Sequence, residues 1–332
     1  MSNRFYEIAS PGLRCTLCDL GASIVDVRVR RSDGTFINVA LSSRGFASGA
    51  EDPSLAGRTI GPCCGRVRDG AAVIDGRPVQ LARNEGRSHL HGGPDGCAHR
   101  RWKVRTHTPN SVLFCTELPD GLDGYPGNRV LYAEYTVTVD ALRVVYRATT
   151  DAPTWIDMTN HVYWDLGGHF DGGAMDQLLR IAATRVVFND DHHLPVGIVD
   201  LDDAFDFTAP RAPSEKLSLH GGHPQLCIGR GFNNAFVMDP DARRSLGFAA
   251  RLYSPESGVT LTMDTDQPAI VLYTGGFLDA STALQTAPGA ASPGCAIALE
   301  AQGLPDPFHL PGVDANCLFP GQVYRRFIEW RF

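Results

Sequence analysis

Apolar and polar residues alternate along most of this chain with a period of two. Between Arg14 and Arg30 the apolar residues Leu17, Ile24, Val25, Val27 and Val29 sit among polar ones, with near-alternation from Val25 onward. Successive strand side chains point to opposite faces, so this is the pattern of a half-buried strand. The turn Ser32-Asp33-Gly34 follows and leads into a short strand, Phe36–Leu41. Asp75-Gly76 separates Ala71–Ile74 from Arg77–Leu81, the signature of a hairpin. Trp102–Thr108 and Ser111–Glu117 read the same way, and Val130–Val139 pairs with Leu142–Thr149 around Asp140-Ala141. Asp157–Trp164, Arg180–Val187, Gly247–Leu252, Val259–Thr265, Ala269–Thr274 and Gln322–Phe332 continue the series. Asp120–Gly127 is too rich in turn residues for regular structure. No apolar stripe with helical spacing exceeds about two turns. Many short strands punctuated by glycine and proline predict an all-β sandwich or barrel.

A length of 332 residues allows two ordinary domains or one large β structure. No composition break, Ser/Pro linker or solenoid repeat divides the chain, so residues 1–332 are read as a single domain. A formal net charge of −7 argues against a nucleic-acid or anionic-membrane partner. Lysine occurs only at Lys103 and Lys216, which leaves arginine as the main cation. The start MSNRFYEIAS lacks an apolar signal region, and no run approaches the ~20 apolar residues of a membrane span. The nine cysteines include one C-x-x-C, Cys15 and Cys18, without a second to complete a zinc pattern. They are read as small buried hydrophobes in a reducing compartment, and the chain as cytoplasmic.

Three segments carry polar groups where the pattern calls for apolar ones. The first runs from Gly57 to Gly93, contains Arg66, and ends in Leu90-His91-Gly92-Gly93. The second is Met158–Leu166, with His161 at its centre. The third is Ile297–Gly303, an apolar strand interrupted by Glu300. A buried carboxylate costs several kcal/mol unless it is paired or used. Two imidazoles and a carboxylate from distant parts of the chain suit proton transfer, one group taking a proton while another gives one. No nucleophile motif, phosphate loop or dinucleotide fingerprint accompanies them, and no cofactor is predicted. His89 and His91 form an H-x-H that would face one way on a strand, a possible metal pair. Gly92-Gly93-Pro94-Asp95 follows without the further ligand a metal barrel would need, so no metal is predicted and His89 is read as structural. Asp190-Asp191-His192-His193, just before Leu194-Pro195, is read as a solvated surface turn, and Tyr163 and Trp164 as packing residues.

Taken in order, further residues carry a resemblance over nearly the whole length. They are Gly57, Gly61, Gly65-Arg66-Val67, Gly70, Asn84 through Gly93, Gly124-Tyr125-Pro126-Gly127 and Thr159-Asn160-His161. Leu194-Pro195-Val196, Gly231-Phe232, Tyr273-Thr274-Gly275, Leu299-Glu300-x-Gln302 and Pro305-Asp306 complete the series. The chain resembles the aldose 1-epimerase (galactose mutarotase) family. That resemblance implies a large antiparallel β supersandwich with a monosaccharide bound in an open cleft. It implies cofactor-independent interconversion of α and β anomers by ring opening, rotation and reclosure. Glu300 would be the general base on the anomeric hydroxyl and His161 the general acid on the ring oxygen, expected on opposite edges of the sugar ring. His91 would hydrogen-bond near that oxygen, and Arg66 would hold a ring hydroxyl.

The chain departs from the family at sugar-binding positions. Gly65 replaces the usual asparagine, Asn233 an aspartate and Val271 a glutamine. Phe308, following Asp306-Pro307, is expected to reach the cleft. These changes predict a sugar other than galactose, with a pentose or deoxy sugar plausible, acted on by a monomer or homodimer. The rival readings are three: a metal-dependent β-barrel enzyme, a non-catalytic sugar-binding protein, and a hexose-phosphate epimerase of the same family. The last would need cations at the cleft rim, for which Arg68, Arg83 and Arg87 are the candidates.

Overall fold

The longest alternating runs become the longest strands. A computed structural model of the chain describes residues 2–48, 52–238, 247–279, 284 and 291–332. In Arg129–Val137 every second residue is buried, and the strand pairs antiparallel with Ser111–Leu118 on one side and Ala141–Thr150 on the other. These strands belong to an eight-stranded antiparallel sheet. It starts with Lys103–Thr108 and, beyond Ala141–Thr150, continues through Tyr324–Arg331, Thr260–Thr265, Phe248–Tyr253 and Leu178–Ile181. A six-stranded sheet runs in the order Tyr163–Trp164, Ile297–Gln302, Ala269–Tyr273, Asn233–Met238, Ala183–Asn189, Pro195–Asp200. The first forty residues form a four-stranded meander of Phe5–Ala9, Leu13–Cys18, Ser23–Arg30 and Phe36–Asn38.

The inner faces of the sheets share one core. Leu131, Tyr135 and Val144 meet Ile270, Leu272 and Leu299 in it, and Trp164 touches Trp330 with ring centroids 5.7 Å apart. The result is a mostly β, single-domain fold in which the six-stranded sheet has a second face, opposite the core. Along Ile297–Gln302, Ile297, Leu299 and Ala301 enter the core, which leaves Ala298, Glu300 and Gln302 on that second face. All six residues are buried, because other segments cover the second face as well. This is why the strand reads as almost continuously apolar.

Several expected strands are divided in the structure. Arg14–Arg30 is two strands joined by a tight turn at Gly21 (φ 69°) and Ala22 (φ 44°). Arg180–Val187 crosses between sheets: Leu178–Ile181 lies in the eight-stranded sheet and Ala183–Asn189 in the six-stranded one. Asp157–Trp164 is no continuous strand. Thr159–Asn160 pairs with Thr59–Ile60, Tyr163–Trp164 pairs with Ile297–Gln302, and His161 lies between the two pairings. Phe5–Ala9, Asn233–Met238 and Pro195–Asp200 are strands that the alternation did not mark, and Pro213–His220 and Pro224–Gly229 are short helices. Seven of the nine cysteines are buried as expected, but Cys227 is exposed and Cys317 half-buried, and none is bonded to another. No described helix is long and apolar enough to cross a membrane.

Candidate active site

The floor of the site is the second face of the six-stranded sheet. Strand register places Glu300 beside Val271 and Val271 beside Ala235; in the next row Ala298, Tyr273 and Asn233 are neighbours. A cleft of about 530 Å³ opens over Glu300, Val271, Ala235, Tyr273 and Asn233, a volume suited to a small molecule.

His161 is held over the floor by its backbone. Its N–H donates to the Arg58 carbonyl and its own carbonyl accepts from Gly57 N–H, each at 2.9 Å. Asn160 reinforces the clamp by donating from its side chain to the Gly57 carbonyl at 2.9 Å. The imidazole stacks on Tyr163 with centroids 4.9 Å apart, and the Tyr163 hydroxyl donates to the Ser54 carbonyl. His161 Nε2 lies 3.7 Å from Glu300 Oε1. Asp157 ties the chemistry-bearing segments together. Both of its carboxylate oxygens accept from Gly303 N–H at 3.0 Å, just past the Glu300 strand, and its own N–H donates to the Pro62 carbonyl.

His91 comes from an unusual backbone. His91, Gly92 and Gly93 are all left-handed, with φ of 52°, 85° and 91°. A Cβ on Gly92 would collide with the Gly61 carbonyl oxygen, and one on Gly93 with the Asp123 side chain. The two glycines are therefore required by close backbone approach as much as by φ. His91 N–H donates to the Gly65 carbonyl at 3.1 Å, and Gly65 N–H donates back to His91 Nδ1 at 3.3 Å. Because Nδ1 accepts, the ring proton of the neutral imidazole resides on Nε2, which leaves that nitrogen as the donor. The His91 ring meets His161 edge-on at 5.5 Å. Arg66 is gripped by Glu85, whose two carboxylate oxygens accept from its Nε and Nη2.

Burial dominates the electrostatics. It pushes the Glu300 carboxyl up to about 8, against the opposing pull of the Arg66 charge, and His161 down to about 4. His91 is driven well below its ordinary value by burial, then by the neighbouring His161 and Arg66 charges. Near neutral pH the Glu300–His161 pair thus holds one proton, which rests on the carboxyl. Three buried atoms at the cleft, Glu300 Oε2, His161 Nδ1 and His193 Nδ1, have no hydrogen-bond partner among the described residues. Buried polar atoms of folded proteins are nearly always paired, so these three side chains keep hydrogen-bonding capacity that the protein itself does not use.

Seven of the eight residues expected at the site line this one cleft: Gly65, Arg66, His91, His161, Asn233, Val271 and Glu300. Two expectations need correction. Glu300 and His161 are adjacent and do not stand on opposite sides of a ring-sized space. Phe308 does not line the cleft; it packs edge-on against Trp155 at 4.9 Å, beside the small apolar cluster of Cys63, Val67 and Tyr125. The cause is a turn at Asp306 (φ 45°), whose carboxylate accepts from Arg68 N–H and pairs with His309.

His193 was read as part of a solvated turn, yet it lines the cleft. That reading holds for Asp191 and His192, whose side chains are 84% and 79% exposed. Tyr163 was read as packing and is cleft wall as well, as are Tyr273, Asn189 and Phe277. Only the aromatic character of Tyr163 signalled this in the sequence. His89 is fully buried, its Nδ1 on the Ala82 carbonyl at 2.6 Å and its Nε2 on the Tyr125 hydroxyl at 2.7 Å, so it serves the fold. No group of three or more potential metal-ligating side chains occurs among the described residues. Arg68 pairs with Asp190, Arg87 with the Asp69 carboxylate, and Arg83 donates to the Asp69 carbonyl; none of the three lines the cleft.

Comparison with known proteins identifies the family. The aldose 1-epimerase family model matches residues 4–331. The chain is 30% identical over 328 residues to the aldose 1-epimerase of Escherichia coli (strain K12), covering 97% of this chain and 92% of that protein. It is also 30% identical over 330 residues to the galactose mutarotase of Bos taurus, covering 98% and 93%. Among solved structures, an aldose epimerase homologue from C. elegans superimposes with a TM-score of 0.88 at 28% identity, over 99% of this chain and 98% of that one. Fold and relatives thus define an isomerase that acts on carbohydrates. Within that class, the chain belongs to the aldose 1-epimerase family.

Proposed function

We propose that this chain interconverts the α and β anomers of a free aldose whose hydroxyl pattern differs from that of galactose. The observation that carries the reading is the buried Glu300–His161 pair, 3.7 Å apart at the bottom of the cleft. In a pyranose the anomeric hydroxyl and the ring oxygen share one carbon. An acid and a base that act on them together must therefore be neighbours.

Ring opening moves two protons. Glu300, as carboxylate, takes the proton of the anomeric hydroxyl while the bond between the anomeric carbon and the ring oxygen breaks. The ring oxygen takes a proton from His161 Nε2. This requires the pair's single proton to sit on His161, and hydrogen bonds from sugar hydroxyls to the carboxylate favour that arrangement. His91, neutral and donating from Nε2, stabilises the charge growing on the ring oxygen. Rotation about the bond between the first two carbons and reclosure on the other face return both protons. Arg66, fixed by Glu85, holds a ring hydroxyl.

Specificity follows from the floor. Val271 and Ala235 lie in register beside Glu300 and offer no hydrogen bond to a hydroxyl above them. A hydroxyl buried there unpaired loses ~1–3 kcal/mol, which favours a pentose or deoxy sugar. A phosphorylated substrate has less support, because Arg68, Arg83 and Arg87 are engaged outside the cleft. The nine unbonded cysteines suit work in the cytoplasm.

Exchange NMR or polarimetry on a panel of freshly dissolved aldoses tests the proposal, with Glu300→Gln and His161→Asn as controls. The reading requires both variants to lose activity and galactose to be a poorer substrate than at least one pentose or deoxy sugar. Wild-type rates in both variants would refute the roles. Equal kcat/KM for galactose and every pentose and deoxy sugar tested would refute the specificity.

A further inference from the structure

His193 stands outside the proton pair, yet the structure gives it the marks of a ligand-facing group. It lies in the turn between Ala183–Asn189 and Pro195–Asp200, the last two strands of the six-stranded sheet. Glu300 lies three strands away in the same sheet, about 14 Å at ordinary strand spacing.

The turn is built to hold this residue inward. Asp190 Oδ1 accepts from His192 N–H and Leu194 N–H, each at 3.0 Å, and Asp190 N–H donates to the Leu194 carbonyl. Arg68 anchors Asp190 from outside at 3.3 Å. His193 itself adopts a left-handed backbone (φ 59°), which is unfavourable for a residue with a side chain and persists only where the surroundings impose it. The ring rests edge-on against Phe277 at 5.1 Å, and its Nδ1 is buried without a partner among the described residues. Arg66, His193 and Glu300 all line the same cleft, so the three groups border one space.

The neighbouring floor explains why a histidine matters here. Val271 and Ala235 present only hydrocarbon, which leaves Asn189, Asn233 and His193 as the polar side chains at this end of the cleft, and Asn189 already spends its amide N–H on the Asn233 carbonyl. Resting on the aldose reading above, we propose that His193 contacts the substrate and sets specificity by hydrogen-bonding a hydroxyl on the ring carbons remote from the anomeric centre, C3 or C4. It is a binding residue and moves no proton in the reaction.

The experiment uses the best aldose from the panel, its 3-deoxy and 4-deoxy analogues, and the variants His193→Leu and His193→Gln. Leucine keeps the bulk and removes the hydrogen bond; glutamine restores a polar end. For the parent sugar, His193→Leu is expected to raise KM about 10- to 100-fold with kcat within about threefold, the scale of one lost buried hydrogen bond. The wild-type preference for the parent over one of the two deoxy analogues should collapse, and His193→Gln should recover part of it. Sugar binding to Glu300→Gln, followed by NMR titration with and without His193→Leu, reads the same contact without turnover. An unchanged KM and preference in His193→Leu overturns the proposal. So does an equal loss for the parent and both analogues, the mark of a merely structural role. Wild-type inactivity on every free aldose would instead sink the mutarotase reading, and the titration would still report on His193 if any of those sugars binds.

Discussion

Replacing Glu300 with glutamine should make the protein less active and more stable, and the gain in stability should grow with pH. The perturbation removes a titrating group that is 4% exposed and changes little else in shape. Burial raises the carboxyl from an ordinary 4.5 to about 8. The native state therefore keeps a proton that the unfolded chain releases above pH 4.5. A raised folded-state value means that stability is fully present below 4.5 and is lost as pH climbs toward 8. Each pKa unit is worth 1.36 kcal/mol, so the loss reaches ~3 kcal/mol at pH 7 and ~5 kcal/mol once both states are ionised. Glutamine does not titrate and escapes that loss. Urea unfolding of both proteins at pH 4, 7 and 8.5 should show a stability difference that widens by about these amounts. Exchange NMR on the same samples should show activity reduced ~10²–10⁴-fold. A stability difference independent of pH would show that burial does not perturb Glu300 and would undo the argument for its proton affinity.

Activity of the wild type should follow a broad bell against pH. The competent pair carries one proton, so kcat/KM falls below about 4, where His161 takes a second, and above about 8, where Glu300 loses the last. A single limb centred between pH 6 and 7 would contradict this. Restoring the family's polar groups with Asn233→Asp plus Val271→Gln should raise kcat/KM for galactose about tenfold or more relative to the preferred sugar, measured in one competition experiment. Glu85→Gln should loosen Arg66 and raise KM several-fold with little change in kcat; steady-state kinetics would expose an error through an unchanged KM. Gly92→Ala should destabilise the protein by more than ~1 kcal/mol in urea unfolding, since it adds both backbone strain and a clash with Gly61.

Much of the architecture was legible because turn residues and alternation agreed. The hairpin at Asp75-Gly76 and the run from Arg129 to Thr150 are local statements, and the structure keeps them. Glu300 was legible for the opposite reason: a charge inside an apolar strand contradicts its surroundings unless it has a use. What was not legible depends on distant contacts. The phase of alternation in Arg180–Val187 does not reveal that the chain changes sheets near Ala182, where the pairing register then shifts. His193 sits in a run of polar residues, and its inward aim comes from a left-handed φ and from Arg68, more than a hundred residues earlier in the chain. Phe308 misled because a turn at Asp306 redirects it, and proximity to Glu300 along the chain does not survive that turn.

The strand Ile297–Gln302 gives neighbouring residues separate duties, with odd-numbered positions in the common interior and Glu300 and Gln302 on the cleft side. Substitution at cleft positions such as Val271, on the neighbouring strand and facing away from the main core, can therefore retune which ligand is accepted while that core stays intact. An architecture with that division is evolvable, and altered preference need not be accompanied by lost robustness.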